Sequence, residues 1–339
     1  MIFGAMKKIL LDANQCFFKG NMHCHSTLSD GKMTPEELKD FYKSHGYHFL
    51  AITDHDHFND NSYLDDEDFI TITSGEFAIK EFPEQSTLKN QRMKCCHLNF
   101  YAKRRDNVDV PWYSPVYDHY TKGEKREELI RKYDKGYQRV YSAEGINDLI
   151  RMANEHGFFV AYNHPRWSLE NYKQYSQYEG LWGVEVFNNA CHRGGIYEYD
   201  INVYDDFLRD GKRLFATVGD DNHSPAECGV AFVMVNAEHL SYETVIDALL
   251  QGRFYASFGP EIHSVWVEDS KIHIQTSPAA KISFSTEGRR HGAVHAPEGG
   301  SVCEAVFEFL PDDGYIRISV QDAQGCCADT QAYFIEDLM

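Results

Sequence analysis

The chain has 339 residues, 42% of them hydrophobic, enough to bury a sizeable core and to suit a barrel of about 250 residues plus a smaller module. Its 52 acidic residues against 33 basic ones give a formal net charge of −19. That balance argues against a long nucleic acid, which wants a lysine- and arginine-rich stripe, and no run of about 18 apolar residues offers a membrane span.

The first twelve residues contain too short an apolar stretch for a secretory signal, so a cytoplasmic location is expected. Nine cysteines are an odd number, and the adjacent pairs Cys95-Cys96 and Cys326-Cys327 make no Cys-x-x-Cys knuckle, so idle or buried thiols are expected.

In chain order, the first informative strand is Asn21–His25. His23 and His25, at i and i+2, share one side of it and form a bidentate metal clamp. Ser29-Asp30-Gly31 follows, then a helix opened by the capping box Thr34-Pro35-Glu36-Glu37, with Leu38, Phe41 and Tyr42 as its apolar stripe. Strand Phe49–Thr53 runs into Thr53-Asp54-His55-Asp56, and Phe69–Thr73 into Ser74-Gly75-Glu76. Cys96–Tyr101 carries His97 inside it. Residues 103–140 break the rhythm and read as an active-site flap or partly disordered insertion. Lys103, Arg104, Arg105, Lys125 and Arg126 there are candidates for a phosphate or, more simply, a solvated face.

A helix from Ser142, stopped by Gly157, leads to strand Phe158–Tyr162 and Asn163-His164-Pro165. Strands Gly183–Phe187 and Leu214–Val218 come next, the latter followed by Gly219-Asp220-Asp221-Asn222-His223, and a helix begins at Ser241. Alternating strands and helices imply a parallel sheet, and the polar residues sit at or just past strand C-terminal ends, the rim where barrel enzymes place their chemistry. After Gly259-Pro260 the texture changes to short strands (262–267, 271–275, 281–285, 302–309, 315–320, 331–335), a small β-sandwich with no chemistry of its own.

The ordered set from His23-x-His25 through Ser29-Asp30-Gly31 to Thr53-Asp54-His55-Asp56, with Glu76, His97, His164 and Asp221-x-His223, resembles the PHP family over roughly residues 20–260. The family is named for polymerase and histidinol phosphatase. The resemblance implies an α/β fold, a distorted (β/α)7 barrel of the PHP type, over residues 1–259, followed by a small all-β sandwich-like domain over 260–339. It implies a metal-dependent phosphoesterase with two or three divalent ions (Zn2+, Mn2+ or Fe2+). By the same resemblance His23, His25, Glu76 and Asp221 hold the first ion, Glu76 bridges to a second held by His97 and His164, and His55, His223 and Asp30 take a third. Asp220 competes with Asp221, and the Asp-x-His spacing favours Asp221.

The expected reaction is attack of metal-bound hydroxide on a small phosphorylated substrate, with Asp221 and His223 as catalytic residues and His223 as candidate proton donor. Arg166, Lys32 and Arg193 are candidates for substrate binding, and Asp54 and Asp56 for orienting ligand imidazoles. Competing readings are an exonuclease or phosphodiesterase on short oligonucleotides, a metal-free scaffold, and an amidohydrolase. Oligomeric state is left open.

Overall fold

The computed structural model describes residues 7–82, 84, 93–196 and 199–339. β1 (Lys8–Leu11) and β2 (Cys16–Cys24) lead into α1 (Pro35–Ser44), β3 (Phe49–Ile52), β4 (Ile70–Ile72), β5 (Ser74–Lys80) and β6 (Cys95–Ala102). α2 (Gly123–Tyr133) and α3 (Ala143–Glu155) precede β7 (Phe158–Tyr162), α4 (Tyr172–Tyr175), β8 (Gly183–Asn188), α5 (Asn189–Arg193), α6 (Ile201–Arg209) and β9 (Phe215–Gly219). Then come β10 (Phe232–Ala237), α7 (Tyr242–Leu250) and β11 (Phe254–Ser257). The rest is β12 (Ile262–Glu268), β13 (Lys271–Ala279), β14 (Lys281–Thr286), β15 (His291–His295), β16 (Val302–Glu308), β17 (Tyr315–Gln321), β18 (Cys327–Thr330), β19 (Tyr333–Phe334) and α8 (Ile335–Leu338).

Local signals set the helices. Thr34 Oγ1 accepts from the Glu37 amide at 3.2 Å while the Glu37 carboxylate accepts from the Thr34 amide at 2.8 Å, so the capping box forms and Pro35 occupies the first helical position. Ser142 caps α3 through the Gly145 amide, and Gly157 leaves the helix at φ +84, a conformation glycine adopts without a Cβ clash.

The fold is a mixed α/β arrangement, with three sheets among the described residues. One has the order β5-β6-β7-β8-β9, and a ten-stranded sheet runs β15-β14-β17-β18-β11-β10-β2-β3-β4, with β19 on β17. The third is β1-β12-β13-β16. β2-β3-β4 and β7-β8-β9 pair parallel, as alternation with helices predicts, but β6 is antiparallel to both β5 and β7. The expected all-parallel order fails there: only Thr73 separates β4 from β5, too short for a crossover helix, and β6 runs back antiparallel to β5. Continuous ladders do not close a barrel. The first two sheets instead meet at two single-residue parallel bridges, His55 with Glu76 and Cys24 with Asn222.

Glu76 lies within β5 rather than beyond a strand end, because the chain re-enters extended structure one residue after β4. The 103–140 segment is packed, not loose: Trp112 and Tyr113 are fully buried and α2 covers the outside. Four of its five candidate cations have protein partners. Arg105 pairs with Asp65, Arg104 with Asp106 and Arg126 with Asp118, while Lys125 donates to Asn59. The last sequence-read strand, 331–335, is shorter and shifted, giving β19 followed by α8.

Two apolar clusters hold the molecule. The larger joins Phe77, Phe100, Trp112 and Phe158 to Trp182 and Phe254 beneath the first two sheets. The smaller joins Leu38 and Tyr42 of α1 to Val265, Ile274, Ile316 and Ile318 of the C-terminal strands. Those strands are also hydrogen-bonded to the strands that carry the polar rim: β18 pairs β11, β11 pairs β10 and β10 pairs β2. Among the described residues no cysteine forms a disulfide.

Candidate metal centre

The two ends of β2 and β5 bring their side chains to one point. His23 and His25 both turn inward, as strand alternation requires, and Glu76 reaches them from β5. Glu76, 1% exposed, lies 3.1–3.4 Å from five imidazoles: His23, His25, His55, His97 and His164. Asp221 closes the opposite side, 3.2 Å from His23 Nε2 and 3.0 Å from His25 Nε2. Its backbone is left-handed, φ +49, as is that of His164, φ +24. Non-glycine residues held there cost free energy that the surrounding packing must offset, and such residues cluster at functional sites.

Three overlapping groups result, with the ligand atoms of each group within 4.8 Å of one another. They are His23, His25, Glu76 and Asp221; Glu76, His97 and His164; and His25, Asp30, His55 and His223. Every metal position read from the sequence falls in one of them, and His25 joins two. Asp30 is the more open partner of the third, 3.5 Å from both His55 Nε2 and His223 Nε2.

The electrostatics fit a cation. Burial would push the Glu76 carboxyl up, but the imidazoles of His97 and His23 hold it well below the usual range. Burial likewise opposes charge on His25, yet hydrogen bonds with Asp221 and Glu76 raise it to about 10. Without metal, protons on imidazoles balance the clustered carboxylates, and a divalent ion would displace them. The Nε2 atoms of His23 and His25 are buried and face the Glu76 and Asp221 carboxylates at 3.0–3.4 Å without a well-aligned hydrogen bond, as lone pairs directed at a shared cation would be. Imidazole with carboxylate suits Zn2+, Mn2+ or Fe2+ and is too nitrogen-rich for Ca2+.

The supporting groups differ from those expected. Asp54 accepts from the Ser26 amide and hydroxyl and from Ser29 Oγ at 2.7–2.8 Å, so it fixes the turn after β2 and reaches His25 only through Ser29, 3.4 Å from Nδ1. Asp56, at φ +62, turns away to a buried ion pair with Arg139. The carboxylate that orients a ligand imidazole is Glu185 of β8, 2.9 Å from His23 Nδ1. It also accepts from the His164 amide and from Asn188 Nδ2, both at 3.0 Å, and Asn188 donates to Asp221 as well. Asn163 donates to Glu76 at 2.8 Å. Glu185 had a sequence signal, an acid inside the otherwise apolar Val184-Glu185-Val186-Phe187. Asp220 has a different task, accepting from Tyr42 and from the amides of Gly229, Val230 and Ala231.

A cleft of about 450 Å³ opens over the groups, lined by Asp30, His55, His223 and Trp167 among others. Arg166, Lys32 and Arg193 lie outside that lining. Arg166 pairs with Asp200 at 3.0 Å, and Lys32 and Arg193 are exposed on the turn after β2 and on α5. Two aromatic residues reach the site without a sequence signal. Tyr120, from the 103–140 segment, donates to Asp30 at 3.0 Å and stacks on His55, and Trp167 packs against His97 and His164.

The PHP domain model matches residues 21–222, a span that contains nearly all of these side chains. No curated protein sequence matches the chain. Among solved structures, a two-domain Bacteroides vulgatus protein containing a predicted PHP-like metal-dependent phosphoesterase is 15% identical, covers 92% of each chain and has a TM-score of 0.44. An amidohydrolase from Chromobacterium violaceum, solved with sulfate, is 16% identical over 69% of this chain and 96% of its own, with a TM-score of 0.37. A proposed metal-dependent phosphoesterase from Bifidobacterium adolescentis is 17% identical over 68% and 94%, also at 0.37.

Proposed function

The chain belongs to the PHP domain family, and on that premise we propose that it is a metal-dependent hydrolase of phosphoric esters acting on a small phosphorylated substrate. The observation that carries the reading is the sharing of ligands: Glu76 serves two of the three groups and His25 serves two, so ions held there would sit close together. Bound divalent ions supply the positive charge that activates water and neutralises phosphoryl oxygens.

The residues divide the remaining work. His23, His25, Glu76 and Asp221 hold the first ion, with His97 and His164 joining Glu76 for a second. Glu185 keeps His23 in the tautomer that presents Nε2. Asp30, His55 and His223, with His25, form the outer position. His223 Nδ1 donates to the Asp221 carbonyl at 2.9 Å, so its Nε2 faces Asp30 and the cleft. Burial opposes its charge, but the hydrogen bond to Asp30 raises its pKa above the ordinary value. When the outer position is not filled, His223 is therefore suited to give a proton to the leaving alkoxide.

We read the strands β2 to β9, with β4 and β5 as one strand interrupted at Thr73, as a distorted (β/α)7 barrel, a reading supported by the two bridges that join their sheets. Residues 260–339 are read as a β-rich unit that braces it. The test is phosphate release by protein reconstituted with Mn2+ and, separately, stripped by chelator, from phenyl phosphate and from a nucleoside 3′,5′-bisphosphate. Metal-dependent release from either ester supports the proposal. Metal shown to be bound with no release from either would move the substrate to diesters, and no bound metal would favour the scaffold.

A further inference from the structure

The cleft has two unlike walls. One is the set of carboxylates and imidazoles. The other is built from Trp167, Ala190, Cys191, Gly194 and Ile196. Among the described residues that line the cleft, none is a lysine or an arginine. A second phosphate or a carboxylate on the substrate would meet no cationic side chain on this wall.

Trp167 is the conspicuous member. It is 42% exposed, and its ring lies 4.9 Å from His164 and 5.1 Å from His97, beside the Glu76, His97 and His164 group. Indole surface left open at the mouth of a polar cleft is surface that a ligand ring can cover with gain, because stacked aromatic pairs add to the ordinary effect of apolar burial. A volume of about 450 Å³ is at the small end for ligand sites and suits one ring with a phosphoryl group attached.

Resting on the phosphoester reading above, we infer that the alcohol half of the substrate is an uncharged planar ring laid against Trp167, and that Trp167 selects it. The phosphoryl end is then recognised at the metal groups and the ring end by apolar contact alone. The competing role for Trp167 is a brace that merely keeps His97 and His164 in place.

Calorimetric binding of two unreactive probes to the metal-loaded protein separates these. Phenylphosphonate and methylphosphonate share the anionic end and differ in the ring. In the wild type, phenylphosphonate should bind about tenfold more tightly. Trp167→Ala should erase that preference while leaving methylphosphonate affinity unchanged, and Trp167→Phe should keep most of it. Equal affinity for the two probes in the wild type, or parallel weakening of both by Trp167→Ala, would overturn the inference while leaving the phosphoester reading intact. If neither probe binds although metal content is full, the phosphoester reading fails, and this inference with it.

Discussion

The inner and outer halves of the candidate metal centre are built differently. The inner half, His23, His25, Glu76 and Asp221, is buried, and its carboxylates and imidazoles come from strands or from residues pinned directly after them. Its supports, Glu185, Asn188 and Asn163, are buried too. The outer half depends on the turn carrying Asp30, whose side chain is 31% exposed, on His223 and on a tyrosine contributed by a distant insertion. Ligands fixed by a sheet are pre-organised, whereas ligands on turns must be ordered when an ion arrives, so the inner positions should bind more tightly and exchange more slowly.

Glu76→Gln should have the largest effect, because it removes the negative charge shared by two groups. Metal content by elemental analysis should fall and turnover should drop by about a thousandfold or more. Unchanged metal content would show that the inner half does not depend on its central carboxylate. Glu185→Gln touches no ligand position directly, yet it frees the His23 ring. Affinity for the inner ion should weaken by about 10- to 100-fold in a competition titration, with the circular dichroism spectrum unchanged. Equal affinity would mean that packing alone orients His23.

The smallest change should follow Tyr120→Phe, which deletes one hydrogen bond to Asp30, worth about 1 kcal/mol. Only the most weakly held ion should be affected, by several-fold. If the inner ions weakened equally, the two halves would be one cooperative unit and the contrast would collapse.

Much of the inner half was legible because strand geometry is strict. The i, i+2 spacing of His23 and His25 puts both rings on one side. Capping residues were equally local, as Thr34 and Ser142 show. The reversal at β6 was not legible, since an apolar strand reads the same in either direction and its direction depends on the connections around it. Asp54 and Asp56 looked like orienting carboxylates by proximity in sequence. A left-handed residue at Asp56 and the demands of the Ser26–Ser29 turn redirect them.

The sequence by itself determined which side chains are candidate metal ligands, because residue types and their order along alternating strands survive any detail of packing. Only the tertiary structure decided who supports those side chains and what lines the cleft above them. Glu185 meets His23 across 162 positions and Tyr120 meets Asp30 across 90. Contacts between residues so far apart in the chain are set by how sheets and loops close in space, and no local pattern in either segment encodes the partner.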